Sequence, residues 1–287
     1  MTDQLAILKS RGLLVDNEPA ALNYLARIGY YRLSGYWYPL RVIDTETSLQ
    51  EHRPVRFDHF MPESHFEDVV KLYVFDKKLR LLALDALERI EMALRVDIAH
   101  RLGEKDPCAH LNPDCLHGNF AKKAIIKGPN KGKTEHQVWL EKYDTMLKRA
   151  RREPFIAHHR EKYDGCLPIW VAIEVWDFGL LSRLFEGMQF TDKNQVAQKY
   201  GLADGAQLAK WLKSLNFVRN VSAHHSRPFM YFAIMAKLLA VICPNSSWTQ
   251  RLIALINDFP SSRNGMLTLQ DLGVVEGAVE WLSQFQK

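Results

Sequence analysis

The sequence lacks the features of a secreted or membrane-spanning protein. Its 287 residues include four cysteines, Cys108, Cys115, Cys166 and Cys243, which show no disulfide framework for a chain of this size. No run of 18 apolar residues is present, and no charged and then apolar signal segment opens the chain. We therefore expect a cytoplasmic protein, in a reducing environment, with no membrane association.

Strand signals are few, and internal repeats and low-complexity tracts are absent. Apolar residues instead recur at three- and four-residue steps, as in amphipathic helices. Hydrophobic residues make up 47% of the chain, which allows a proper core. We predict an all-α helical bundle in three segments. These are a small N-terminal helical unit at 1–60, a main domain at 61–257 with a basic insertion at about 104–165, and a C-terminal helical tail at 258–287 packed on the bundle.

Local signals place the helices. Asn17-Glu18-Pro19 predicts a helix through about Ile28, and the capping box at 64–67 opens a pattern that runs to Gly103. At roughly forty residues this element exceeds the usual length, so it is either kinked or divided in two. Pro168 opens another long helix that stops near Gly187. Shorter helices are predicted at 192–200, 205–225, 228–242, 248–257 and 275–286, and a short hairpin could lie within 42–57.

Five aromatic residues follow the turn at Gly29, namely Tyr30, Tyr31, Tyr36, Trp37 and Tyr38. Beside Arg27 and Arg32 they could stack nucleobases. The segment is mostly apolar, aromatic or glycine, however, so packing in the core is the stronger interpretation.

The densest group of polar residues lies at 219–227, in the run Arg-Asn-Val-Ser-Ala-His-His-Ser-Arg. Asn220 and His224 are four residues apart and share a helix face, whereas Arg219 lies about 140° around the axis from His224. Pro228 disfavours helical geometry at Arg227 and predicts a helix break there.

Arginine and histidine at this spacing suit attack by an RNA 2′-hydroxyl on its own phosphodiester. A histidine, with an ordinary pKa of about 6.5, exchanges protons near neutral pH. An arginine stays charged and binds phosphate oxygens as negative charge develops. A purely structural role is also open, since basic residues in the last turn of a helix complement its dipole.

Four segments of the chain resemble a known family. Arg219 and Asn220 followed by His224 are similar to the Arg-polar-x3-His signature of the HEPN superfamily of ribonucleases. The longer Arg-Asn-x-x-Ala-His-His-x-Arg run resembles the AbiD/AbiF-like branch of the abortive-infection (Abi) proteins. Three further blocks resemble the same branch: GYYRLSGYW at 29–37, LERIE with LR at 87–95, and LPIW through FGLLS at 167–182.

The resemblance implies a HEPN-like fold and a metal-independent endoribonuclease that acts as a toxin-like effector in antiphage abortive infection. His224 would be general base or acid, Arg219 would bind the scissile phosphate, Asn220 would orient either, and His225 and Arg227 would support them. It also implies a homodimer that joins two such sets, no cofactor, and a restraining antitoxin RNA or protein. The alternative is a non-catalytic module that grips a small structured RNA.

A second Arg-x4-His spacing links Arg95 to His100. It departs from the signature because an apolar residue follows Arg95, and Glu91 lies four residues earlier, well placed for an ion pair. We therefore expect Arg95 to be structural or to orient the main site. Glu88 or Glu91 could hold Arg219 or His224 from a neighbouring helix.

The net charge of +5 is concentrated in the middle of the chain. The candidate RNA-binding residues there are Lys122, Lys123, Lys127, Lys131, Lys133, Arg151 and Arg152. The stretch at 122–133 contains two glycines and a proline and predicts a mobile loop. It forms either a surface that follows phosphates or a solvated charged face.

Zinc chemistry is a rival interpretation. Cys108, His110, Cys115 and His117 form two Cys-x-His pairs whose side chains could bind zinc. Their spacing does not match familiar zinc knuckles, and the intervening Asn-Pro-Asp run is equally typical of a turn.

Overall fold

The computed structural model of the chain describes residues 1–163, 166–221 and 229–285, and its described part is mainly helical. This confirms the predicted all-α class. Two short strands, β1 (Arg41–Ile43) and β2 (Arg56–Phe60), pair antiparallel at the two ends of the segment 42–57, for which a short hairpin was predicted. The helices are α1 (Thr2–Ser10), α2 (Glu18–Ile28), α3 (Tyr30–Trp37), α4 (Thr45–Glu51), α5 (Phe66–Gly103), α6 (Gly118–Ala121), α7 (Glu135–Arg149), α8 (Pro154–Tyr163), α9 (Ile169–Ala172), α10 (Phe178–Gly187), α11 (Phe190–Lys199), α12 (Gly205–Val221), α13 (Phe229–Ile242), α14 (Trp248–Asn257) and α15 (Ala278–Ser283).

The described residues group into two compact units. The first contains 1–83, 229–233 and 247–285, and the second contains 84–163, 166–221 and 234–246. These boundaries differ from the three predicted segments. The difference arises because the N-terminal helices and the C-terminal residues share one core with the first half of α5.

Residues 1–60 were predicted from the sequence as a small separate unit. In the structure they belong to this shared core. Leu33 and Trp37 of α3 are fully buried, and Phe66 and Val69 at the start of α5 belong to the same cluster. Its other buried members are Leu5, Leu8, Leu13, Ala21, Leu25, Tyr36, Leu40, Phe60 and Leu267. Burial of this much apolar surface contributes a large favourable free energy of folding. The N-terminal helices are therefore part of the hydrophobic core of the first unit.

The aromatic run of α3 divides between core and surface. Tyr36 and Trp37 are buried, and the Tyr36 hydroxyl donates to the Asp76 carboxylate of α5 at 2.6 Å. Tyr31 is almost fully exposed. Tyr30 is partly buried and packs against the same core, so packing accounts for Tyr30, Tyr36 and Trp37 but not for Tyr31.

Several helix boundaries follow the capping signals in the sequence. The Asn17 side chain accepts the Ala20 backbone N–H at 3.0 Å and begins α2. The Asp204 side chain likewise accepts the Gln207 N–H at 2.8 Å ahead of α12. The long apolar pattern forms one continuous helix, α5, of 38 residues.

The single long helix predicted from Pro168 to Gly187 is wrong. The chain forms the short α9, a 3-10 turn at Ile173–Val175 and then α10, with Trp176 extended between them. The Asp177 side chain accepts the Leu180 N–H at 2.7 Å and caps α10. The carbonyl of Trp176, which the break leaves outside a helix, accepts a hydrogen bond from Arg95 at 2.7 Å. The Asp177 cap and Arg95 of α5 thus replace backbone hydrogen bonds that are lost where the helix is interrupted.

A buried carboxylate joins α5 and α11 in the second unit. Asp192 is fully buried, and its two oxygens bind Arg101 Nε at 2.9 Å and Lys105 Nζ at 2.6 Å. Arg101 also contacts the exposed Glu104 at 3.3 Å. One arginine therefore pairs with one buried and one exposed acid.

We expect Asp192→Asn to lower the free energy of unfolding by about 2 kcal/mol. The substitution removes the buried negative charge and leaves two partly desolvated cations without their partner. Glu104→Gln is the matched control, and its exposed ion pair should contribute less than about 0.5 kcal/mol. Urea unfolding followed by circular dichroism measures both. Equal midpoints for the two variants would contradict the assigned role of Asp192.

Candidate functional site

The candidate site lies in the second unit, where the last turn of α12 faces α5. Arg219 Nη2 is 3.4 Å from Glu91 Oε2. Glu91 is nearly buried, so its charge requires a partner. Of the two glutamates considered from the sequence, the structure brings Glu91 to Arg219.

Glu91 holds a second arginine with its other oxygen. Arg95 Nη2 donates to Glu91 Oε1 at 2.6 Å and to the Trp176 carbonyl at 2.7 Å, and its Nη1 lies 3.3 Å from Glu174. The Arg95 side chain is only 13% exposed. This is the geometry of a structural arginine, which holds the interrupted α9–α10 segment against α5. Glu174 was not identified from the sequence, because nothing local marks it as a partner of a residue 79 positions away.

Arg219 differs from Arg95 in its accessibility. Its side chain is 37% exposed, and Glu91 is its partner among the described residues. An arginine carries five N–H donors, so one carboxylate oxygen leaves others able to bind a phosphate. Glu91 thus fixes the guanidinium while solvent still reaches it.

His100 is placed away from this cluster. It lies nine residues after Glu91 on α5, which is about 180° around the helix axis. Its side chain is 77% exposed, with Nδ1 3.4 Å from Glu104. The second Arg-x4-His spacing therefore does not bring His100 to Glu91.

Four residues of the predicted catalytic set lie wholly or partly outside the described residues. His224, His225 and Arg227 lie outside the described residues. Asn220 belongs to α12 by its backbone, and its side chain is likewise outside the described part. The geometry of the site therefore concerns Arg219, Glu91 and Arg95.

The predicted basic loop is a hydrogen-bonded hairpin, which we call the basic hairpin (residues 122–134). Lys122 pairs with Asp114 at 2.7 Å and Lys133 pairs with Glu141 at 2.6 Å. The other three candidate lysines, together with Arg151 and Arg152, are exposed and make no ion pair with the described residues. The candidate basic residues thus fall into a paired group and an unpaired group, which the sequence did not distinguish.

The two Cys-x-His pairs do not form a cluster. Cys108 is disulfide-bonded to Cys166, with Cα atoms 6.5 Å apart, and His117 Nδ1 accepts the Asn119 N–H. This pairing takes Cys108 out of the set of side chains considered for zinc. The two residues are 58 positions apart, and no local spacing indicates such a pair.

His110 is fully enclosed by aromatic rings. Tyr143 lies 5.4 Å and Trp176 5.8 Å from it between ring centroids, and neither His110 ring nitrogen has a hydrogen-bond partner. Burial, with a smaller effect of His136, lowers the pKa of His110 to about 4. The ring is therefore neutral at physiological pH and serves packing.

One group in the described chain has the spacing of metal ligands, namely Asp16, His65 and Glu67 in the first unit. Arg263 already supplies positive charge there. Its Nη1 is 2.7 Å from Asp16 Oδ2 and 2.8 Å from His65 Nδ1. The group is therefore an ion-pair and hydrogen-bond cluster that ties Arg263 to the residues just before α2 and α5.

The chain belongs to the Abi-like protein family, whose model matches residues 23–230. All four blocks recognised in the sequence lie wholly within this range. The family associates the chain with abortive infection. Neither a curated protein nor a solved structure is similar enough to count as a match. Within the described residues, no helix is both long and apolar enough to cross a membrane.

The environment of His110 predicts a pH dependence of stability. Its pKa is about 4 in the folded chain and about 6.5 when unfolded. As pH falls from 6.5 to 4, the unfolded chain binds a proton that the folded chain does not, so stability falls by about 3 kcal/mol.

Urea unfolding at pH 7 and pH 4.5 should show a smaller loss for His110→Phe than for the unchanged chain, because phenylalanine suits the aromatic surroundings and cannot titrate. His100→Gln, at an exposed histidine, should behave like the unchanged chain. The same pH dependence in His110→Phe would rule out His110 as the cause.

Proposed function

We propose that this Abi-like protein is a metal-independent endoribonuclease of the HEPN type, of the AbiD/AbiF-like branch, that acts as a toxin-like effector in abortive infection. The observation that supports it is the state of Arg219. A nearly buried carboxylate fixes this arginine at the end of α12, yet more than a third of its side chain is exposed. An arginine that is held and accessible is suited to binding a phosphate in a defined position.

The proposed reaction is transfer within the RNA strand. A base removes the proton of a ribose 2′-hydroxyl, whose oxygen attacks the neighbouring phosphorus. The bond from phosphorus to the 5′-oxygen breaks, and an acid returns a proton to that oxygen. The products are a 2′,3′-cyclic phosphate and a 5′-hydroxyl. Arg219 would stabilise the added negative charge on the phosphate, His224 would act as base or acid, and Asn220 would orient one of them.

A single His224 supplies one of the two proton-transfer groups, so the reaction favours a symmetric dimer that brings two sets together. The second unit offers a surface for this contact. Leu84, Met92 and Val96 are exposed at multiples of four residues on α5, and Met92 directly follows Glu91. A second copy packed against this α5 strip would bury apolar side chains next to the Glu91–Arg219 pair.

The purified protein should cut single-stranded RNA in the presence of EDTA and leave 2′,3′-cyclic phosphate ends. Arg219→Ala and His224→Ala should each reduce the rate by at least about 100-fold, since each removes a group that acts in the transition state. End-group analysis of a labelled RNA measures both product and rate. Expression of the unchanged protein should arrest growth, and expression of either variant should not.

His100→Ala is the matched control, because His100 has the same spacing from Arg95 but points away from the cluster. It should leave cleavage unchanged. Cleavage that survives in both Arg219→Ala and His224→Ala would reject the assigned site. RNA binding without any cleavage would favour the alternative function, a module that grips a structured RNA.

The dimer has its own test. Met92→Glu and Val96→Glu should convert a dimer into a monomer, as measured by light scattering during gel filtration, because they place charge in an apolar contact. Val241→Glu, at an exposed valine of α13, should leave the mass unchanged. A native protein that is monomeric and still cuts RNA would contradict the need for two copies.

A further inference from the structure

The basic hairpin is a defined projection rather than an irregular loop. Ala124 bridges Thr134, the Ile125 N–H donates to the Lys133 carbonyl at 2.8 Å, and the Gly132 N–H donates to the Ile125 carbonyl at 2.9 Å. Gly128 and Gly132 have φ values of +87° and +89°, which other residues rarely adopt. Backbone hydrogen bonds and two glycines thus set the course of the chain.

Helices anchor both ends of the basic hairpin. On one side, Phe120 of α6 is buried, and the Lys122 N–H donates to the Gly118 carbonyl at 2.8 Å. On the other, Thr134 and Gln137 form a complete capping box at the start of α7. The backbone of such an element is already ordered, so it loses little conformational freedom when its side chains bind a ligand.

The charge of the basic hairpin is only partly neutralised. No acidic residue occurs between Asp114 and Glu135. Asp114 and Glu141 are engaged by Lys122 and Lys133, and Glu135 is engaged by Arg183 at 2.6 Å. The acids that flank the basic hairpin along the chain are thus engaged, and three exposed lysines make no ion pair with the described residues: Lys123, Lys127 and Lys131.

The distribution of the three lysines indicates their ligand. Lys123 lies just before the Ala124 bridge, and Lys127 and Lys131 flank the Gly-Pro-Asn turn. Lysines spread along one projection suit a ligand with repeated negative charges, as in a nucleic acid backbone. An anionic membrane surface would require more apolar surface than the one strongly exposed residue here, Ile126, provides.

We infer that the basic hairpin is a sequence-independent contact for the phosphate backbone of single-stranded RNA, made by Lys123, Lys127 and Lys131 and not by the paired Lys122 and Lys133. This rests on the proposed function for its choice of RNA. The hairpin contributes affinity and position, while selection of the cleaved bond stays with the site at Arg219.

The test measures binding of a 2′-O-methyl RNA, which lacks the attacking hydroxyl and cannot be cut by the proposed reaction. The triple variant of Lys123, Lys127 and Lys131, each changed to Gln, should bind at least about tenfold more weakly at low salt. The slope of log K against log salt should fall by about 2, since each lysine contact with a single strand contributes roughly 0.7.

A second triple variant, with Lys77, Lys210 and Lys213 each changed to Gln, is the charge-matched control. These lysines also have no ion-pair partner in the described chain but lie on α5 and α12. The control should keep its affinity within about threefold and its salt slope within about 0.5. Lys122→Gln with Lys133→Gln should have a smaller effect than the hairpin triple variant.

Equal losses of RNA affinity in the two triple variants would overturn the inference, because the loss would then reflect the net charge of the protein and not the position of the lysines. Unchanged binding by the hairpin variant, or loss of binding to phosphatidylserine vesicles instead of RNA, would also overturn it. The outcome is separate from that of the nuclease proposal. If the protein binds methylated RNA through the basic hairpin but does not cut unmodified RNA, the inference about the hairpin stands and the nuclease proposal is rejected.

Discussion

The nearly buried carboxylate of Glu91 is the constraint around which the second unit is arranged. A carboxylate that leaves water is stable only with partners, and Glu91 has two arginines, one for each oxygen. Arg95 extends from Glu91 to the Trp176 carbonyl and to Glu174, where the α9–α10 segment is interrupted. Arg219 arrives from the end of α12. One acid therefore determines where an irregular segment docks and where Arg219 is held.

The two arginines show how one partner supports different roles. Arg95 has several hydrogen-bond acceptors and is little exposed to solvent, so its role is structural. Arg219 has Glu91 and retains solvent access, so its remaining donors can meet a ligand. The basic hairpin follows the same pattern at the surface, where Asp114 and Glu141 engage two lysines, and three further lysines make no ion pair with the described residues. In both places the distribution of acids decides which cations can bind something else.

Much of the helical organisation was predictable because its signals are local. Asn17 caps the helix that it was expected to begin, Asp204 caps the helix predicted at 205–225, and the apolar pattern after residue 66 forms one helix. The four sequence blocks identified the family, whose model matches 23–230. The α9–α10 break was missed because its stabilisation comes from Arg95, 79 or more positions away. The same holds for the disulfide between Cys108 and Cys166.

The sequence by itself determined the helical class, several helix starts, the family and the polar run at 219–227, because helical periodicity, capping residues and sequence motifs involve residues that are close together along the chain. Only the tertiary structure decided which arginine is enclosed and which is accessible, that His100 lies away from Glu91, and which lysines are unpaired. It also joined residues 1–60 to the core of the first unit. These features depend on contacts between distant positions, since burial and ion pairing are properties of the folded packing and not of local sequence.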